Sequence, residues 1–89
     1  MTAIVSVVGR DRVGITAAVC TLLAEHNVNI LDINQTILQG NFTMIMLTDL
    51  SAASVPLSEL AQRLQQLGET MQISIRIQRE EIFQAMHEI

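Results

Sequence analysis

Asp11 stands three residues before Gly14 in the segment Val7-Val8-Gly9-Arg10-Asp11-Arg12-Val13-Gly14-Ile15, between a β-branched run and a helical pattern. A strand-to-helix turn of this kind leaves the first backbone N–H groups of the helix without intrahelical partners. Together with the positive end of the helix dipole, they can receive a small carboxylate. Asp11 adds a negative group beside that receptor. A positive end and a negative side chain at one turn suit a zwitterion, which points to an amino acid as a bound effector. Asp11 has a second reading as a helix N-cap, a use worth about 1 kcal/mol. Gly14 permits tight backbone passage in either case.

The other reactive side chains do not assemble into a recognisable set. His26 and His87 lie far apart in the chain and Cys20 is near neither, so the spacing of a metal site is absent. Cys20 falls in a helical pattern without a histidine at a readable distance and reads as a small apolar filler rather than a nucleophile. Met44, Met46 and Met71 read as core. No catalytic residue, metal or cofactor is expected.

Composition narrows the class. The net charge is −4, and all five basic residues are arginines, spread over positions 10, 12, 63, 76 and 79. Neutralising phosphates takes a clustered basic face, so direct nucleic-acid binding is not expected. The chain shows neither a signal-peptide pattern nor an apolar run of bilayer length, and its lone cysteine cannot close an internal disulfide. A cytoplasmic protein with no membrane association is the expectation. Eighty-nine residues suit one domain, which at this size buries only about 60% of the unfolded chain's surface. Yet 49% of the residues are hydrophobic, and Phe42 and Phe83 are the only aromatics. That is more apolar surface than so small a monomer easily hides, and it argues for a homodimer or a higher homo-oligomer.

The elements that must position the turn follow from periodicity. Residues 3 to 8 read as a strand apolar on both faces. From Gly14, Ile15, Ala18, Val19, Leu22 and Leu23 recur at helical spacing until His26-Asn27. Residues 28 to 38 and 42 to 47 read as two strands joined at Gln39-Gly40-Asn41. After the loop of residues 51 to 55, Pro56 suits the first turn of a helix, Leu57, Leu60, Ala61, Leu64 and Leu67 form its stripe, and Gly68 falls where a C-cap is expected. Met71, Ile73, Ile75 and Ile77 then alternate with polar residues as a strand with one wet face. Asp32, Asn34 and Gln35 put unusual polarity into the second strand, fitting a wet cleft, a dimer seam or a solvated edge. The order is that of an α+β, ferredoxin-like βαββαβ sandwich with an antiparallel four-stranded sheet. Residues 1 to 79 form this core. Residues 80 to 89, with apolar side chains at 82, 83, 86 and 89, form a short C-terminal helix that closes the open sheet face or a neighbouring subunit.

With this architecture, Asp11-Arg12-Val13-Gly14-Ile15 at the first turn and Asn27-Val28-Asn29-Ile30 at the entry to the second strand resemble an ACT domain. The resemblance extends to small stand-alone ACT proteins and to the ACT halves of the glycine cleavage system transcriptional repressor. It implies a regulatory, allosteric module that dimerises, often edge to edge into an eight-stranded sheet, and binds an amino acid between subunits. Carried onto this chain, the ligand-binding positions are Asp11, Arg12, Val13, Gly14 and Ile15 on the turn, with Asn29 and Ile30 on the second strand. Many members have proline where this chain has Val13 and asparagine where it has Asp11. An ionised aspartate only accepts hydrogen bonds, so Asp11 favours the ligand's ammonium or a cation in its place.

Two other functions remain open on the same fold. One is a protein-interaction module with a vestigial cleft, recruiting a protein partner through sheet edges and tail helix. The other is an enzyme such as an acylphosphatase, which would need Arg10 or Arg12 in a phosphate-cradling loop near Asn29. The glycine-rich cradle is missing, and a non-enzymatic role is expected.

Overall fold

The computed structural model describes residues 1–87. In chain order it contains β1 (Thr2–Arg10), α1 (Ile15–Glu25), β2 (Asn29–Leu38), β3 (Asn41–Asp49), α2 (Leu57–Met71), β4 (Ser74–Arg79) and α3 (Glu80–His87). The four strands form one antiparallel sheet in the order β2-β3-β1-β4. This is the expected βαββαβ arrangement followed by a C-terminal helix.

The register explains where the core sits. Val5 lies opposite Met46 on one side and Ile77 on the other, and Val7 lies opposite Met44 and Ile75, so these side chains share one face of the sheet. Alternate residues of a strand point to opposite faces, and here the shared face is the one that α1 and α2 cover. Ile15, Val19 and Leu23 of α1, with Leu60 and Leu64 of α2, are buried against it. Met44 and Met46 are fully buried, as their expected core role requires, and Met71 is partly buried against the core. Among the described residues Thr48 is the one buried polar side chain, and its hydroxyl donates to the Ala3 carbonyl at 2.8 Å. A buried hydroxyl with a partner avoids the desolvation cost of an orphan.

Chain reversals follow local rules. Gln39 and Gly40, the two central residues of the β2–β3 hairpin, both have positive φ, the pattern of a type I′ turn whose twist matches antiparallel strands. At the end of α1, Asn27 (φ 60°) donates to the Ala24 carbonyl and Val28 to the Leu23 carbonyl, which terminates the helix where the periodicity does. Pro56 stands as the extended N-cap just ahead of α2 rather than inside its first turn.

The end of α2 differs from expectation. The helix runs on through Gly68 to Met71, so Met71 is helical rather than the start of the last strand, and Gln72 takes the left-handed C-terminal position at φ 59°. Gln72 donates to the Glu69 carbonyl and Ile73 to the Gly68 carbonyl, completing the termination. Gly68 is glycine for another reason. A Cβ there would stand 2.6 Å from the Ile73 carbonyl oxygen, so only a residue without one lets β4 start this close to the helix.

The second face of the sheet is partly closed by the tail. Ile4, on the face opposite Val5, is only 8% exposed, and α3 packs against β1 and β4, with the Thr2 hydroxyl donating to Glu80 Oε1 at 2.6 Å. The tail helix therefore covers its own sheet, one of the two expected roles. Expectations for the side chains of Met86 and Ile89 lie outside the described residues and side chains. No helix among the described residues is long and apolar enough to cross a membrane.

Replacing Gly68 by Ala forces the helix and β4 apart. We expect a loss of about 1–3 kcal/mol, the usual range for overpacking, measured as a lower urea midpoint with an unchanged slope.

Candidate functional site

The β1–α1 turn is held from two directions. The Asp11 amide donates to the Gly40 carbonyl at 2.8 Å, which ties the turn to the β2–β3 hairpin. The Arg12 guanidinium donates from Nη1 to the Met71 carbonyl at 2.9 Å, which ties it to the last turn of α2. A cation at a helix C-terminus also complements the negative end of the dipole. Arg12 is exposed, yet it is anchored across the fold.

Between these anchors the chain turns through Gly14, whose φ of 94° lies in the left-handed region that glycine enters without a side-chain penalty. Gly14 is the N-cap of α1, and no side chain caps the helix. Its carbonyl accepts the first helical bond, from Ala18 at 2.9 Å. The N–H groups of Ile15, Thr16 and Ala17 have no acceptor among the described residues, and the first turn carries no acidic side chain. Asp11 is exposed, and its carboxylate accepts no hydrogen bond among the described residues. The capping role considered for Asp11 is therefore not the one it takes. Free amide donors and an uncommitted carboxylate border one turn, an arrangement with opposite charges for the two ends of a zwitterion.

The remaining turn positions divide. Ile15 is 1% exposed, so its side chain belongs to the core and only its N–H faces the turn. Val13 is 100% exposed, an apolar side chain without packing in its own chain.

Asn29 and Ile30 are elsewhere. Asn29 lies opposite Asp49 and Ile30 opposite Thr48, whereas the turn adjoins Gly40 at the other end of β2. Nine residue steps of extended strand separate those ends by about 30 Å. Within one chain the two halves of the motif are not brought together, and neither are Arg12 and Asn29 as an acylphosphatase would need. Asn29 instead borders a shallow pocket of about 400 Å³ with Ala24, Asn27, Val28 and Ala52. Near it, Ser51 donates through its amide and hydroxyl to Asp49 Oδ1 at 2.9 and 2.6 Å, holding that carboxyl below its ordinary value.

Two polar residues join the turn that no motif singled out. Thr16, in the first turn of α1, donates to Gln35 Oε1 at 3.2 Å, and Gln35 pairs with Met44 in register, which sets it on the helix side of the sheet. The signal in the sequence was a glutamine in a strand otherwise rich in Ile and Leu.

β2 itself is the site's other notable element. It is an edge strand of 10 residues, and beyond Ile30 all of them are exposed, including Leu31, Ile33, Ile37 and Leu38 at 43–68%. A long apolar edge carrying unpaired backbone groups is a template for another strand.

Comparison with known proteins gives a consistent result. The ACT domain family model matches residues 1–78. A UPF0237 protein of Bifidobacterium longum is 51% identical over 98% of this chain and 97% of its own length. Among solved structures, an ACT domain protein from Streptococcus pneumoniae superposes with a TM-score of 0.81 at 38% identity, covering 93% of each chain. A candidate glycine cleavage system transcriptional repressor gives 0.76 at 25% identity, over 86% of this chain and 44% of that one.

Arg12→Ala removes the tie between the turn and α2. We expect a loss of about 0.5–1 kcal/mol, the scale of a helix-terminus charge contact, and faster amide exchange at the end of α2, both readable by hydrogen exchange.

Proposed function

This chain belongs to the ACT domain family, and from that membership we propose that it is a non-enzymatic, cytoplasmic regulatory module that dimerises and binds a small amino acid at the subunit seam. The carrying observation is β2, whose exposed apolar edge runs between the two separated halves of the motif. Antiparallel pairing of β2 with its two-fold copy, centred on Asn34 and with Leu31 left out of register at the strand's irregularity, brings Asn29 of the partner subunit alongside Leu38. There it adjoins Gly40 and the turn whose amide Gly40 holds. The same pairing satisfies the free backbone groups of both edges and buries Leu31 and Ile37 twice.

In that seam the ligand's carboxylate meets the N–H groups of Ile15, Thr16 and Ala17. Its ammonium meets Asp11, which can only accept. Val13 and the partner subunit's Ile30 supply apolar contact on either side, and Arg12 keeps the turn in place from behind. Asn29 of the partner subunit offers an amide that donates and accepts, closing the site only when two chains are present. Because the ligand contacts both chains, binding stabilises the dimer. This is the physical basis for transmitting its presence to whatever the dimer regulates.

A thermal-shift screen of the twenty amino acids tests the reading. At a hundredfold excess over its dissociation constant the true ligand adds about 2.7 kcal/mol, and Asp11→Ala removes the response. Silence from all twenty at millimolar concentration would overturn amino-acid binding. Ile33→Arg places unpaired charges in the proposed seam, and sedimentation equilibrium is expected to show a shift from dimer to monomer with loss of the ligand response. A variant that stays dimeric would refute the β2 seam.

A further inference from the structure

Behind the β1–α1 turn, on the side away from β2, lies the link between α2 and β4, residues 71–73. It touches the turn twice. The Met71 carbonyl accepts from Arg12 Nη1 at 2.9 Å. Ile73 stands one step beyond the last β1–β4 pair, Val8 with Ser74, and so falls beside Gly9, the penultimate residue of β1. A Cβ on Gly9 would stand 2.8 Å from Ile73 Cβ, so the isoleucine side chain fills the space that a larger residue at position 9 would need. On its other side, the Ile73 amide donates to the Gly68 carbonyl at 2.9 Å, with its own carbonyl oxygen packed over Gly68. Ile73 is clamped between two glycines, one on the strand that feeds the turn and one on α2.

Between these contacts Gln72 holds a left-handed backbone, φ 59° and ψ 43°. That conformation crowds a Cβ against the carbonyl that follows, and glutamine lacks the short side chain with which asparagine offsets the cost. It persists only where neighbours hold it. Two of those neighbours, Arg12 and Gly9, belong to the turn and to the strand entering it. We propose that the β1–α1 turn and the 71–73 link open and close as one cooperative unit, so that occupancy of the turn is reported at the C-terminal end of α2.

Linkage sets the direction of the effect. When the unit is closed, Arg12 reaches Met71 and Ile73 lies over Gly9. When it opens, the last turn of α2 frays and Gln72 relaxes, a local unfolding of the kind that helix ends undergo. Fraying removes one anchor of the turn, and a loosened turn removes the contacts that hold Gln72. Whatever orders one side orders the other by the same factor. The output role rests on the amino-acid reading of the turn, whereas the coupling is a property of the chain alone.

Amide hydrogen exchange of the full chain, read residue by residue by NMR, tests the coupling. The Asp11 amide, bonded to Gly40, reports the turn, and the Gln72 and Ile73 amides, bonded to Glu69 and Gly68, report the link. Gln72→Gly removes the left-handed penalty at an exposed site and is expected to slow exchange of the Ile73 amide by about threefold or more. The Asp11 amide is expected to slow by the same factor. The Val28 amide, which closes α1 at the other end of the sheet, stays unchanged. Gly9→Ala displaces Ile73 and should quicken exchange at Asp11 and Ile73 together. Slowing confined to the link would overturn the proposal, and so would equal slowing at Val28, which marks a change in global stability.

A second arm adds each of the twenty amino acids at millimolar concentration. Any that raises the melting temperature is expected to slow exchange at Gln72 and Ile73 as well as at the turn. One that protects the turn and leaves those two amides unchanged would overturn reporting through α2. Silence from all twenty would overturn the amino-acid reading alone, and Gln72→Gly would still decide the coupling.

Discussion

The position of the β1–α1 turn rests on one backbone hydrogen bond, from the Asp11 amide to the Gly40 carbonyl. It fastens the chain as it leaves the central strand to the hairpin that connects the two strands beyond. A loop that must present bare amides to solvent gains nothing from its own packing, so its geometry has to be supplied by its neighbours. Arg12 adds a second anchor at the Met71 carbonyl. Between these points the left-handed Gly14 turns the chain without a side-chain cap, leaving donors of the first helical turn unused. Filling them with a capping serine or aspartate would stabilise the helix and remove the receptor.

The two edges of the sheet are physically different. β2 is long and free of lysine and proline, exposes Leu31, Ile33, Ile37 and Leu38, and has one irregularity between Ile30 and Asp32. β4 has 6 residues and carries Arg76 and Arg79. Proteins commonly shield an exposed edge with charge and short length, and β4 has both features whereas β2 is long and carries the single charge of Asp32. The asymmetry favours β2 over β4 for pairing with a second copy of the chain. It also explains how a chain with two open edges can avoid endless sheet extension, since only one edge is suited to self-pairing.

Much of the fold was legible because it depends on regularities within a few residues. The apolar spacing from Ile15 to Leu23 and the alternation of Ile73, Ile75 and Ile77 indicated a helix and a strand, and Gln39-Gly40 indicated a tight hairpin. The ACT resemblance was legible from the motif together with this order. Gly68 was misleading because glycine serves two purposes that look alike in sequence, ending a helix or admitting a neighbour, and the distance to the Ile73 oxygen distinguishes them. Asp11 was ambiguous for a similar reason: a carboxylate before a helix can cap it or wait for a ligand, and the choice turns on where its side chain is left free.

The amino-acid sequence by itself determined the type and order of the elements and the chemistry available at the first turn, because dihedral preference and side-chain period act over three or four residues. Tertiary structure alone decided that β2 lies at an edge and that Asn29 stands at the far end of the sheet from Asp11. It also decided that Arg12 reaches a carbonyl 59 residues away. Those outcomes depend on which distant segments pair and in what register. That is a property of the whole packed chain, on which local propensity has no bearing.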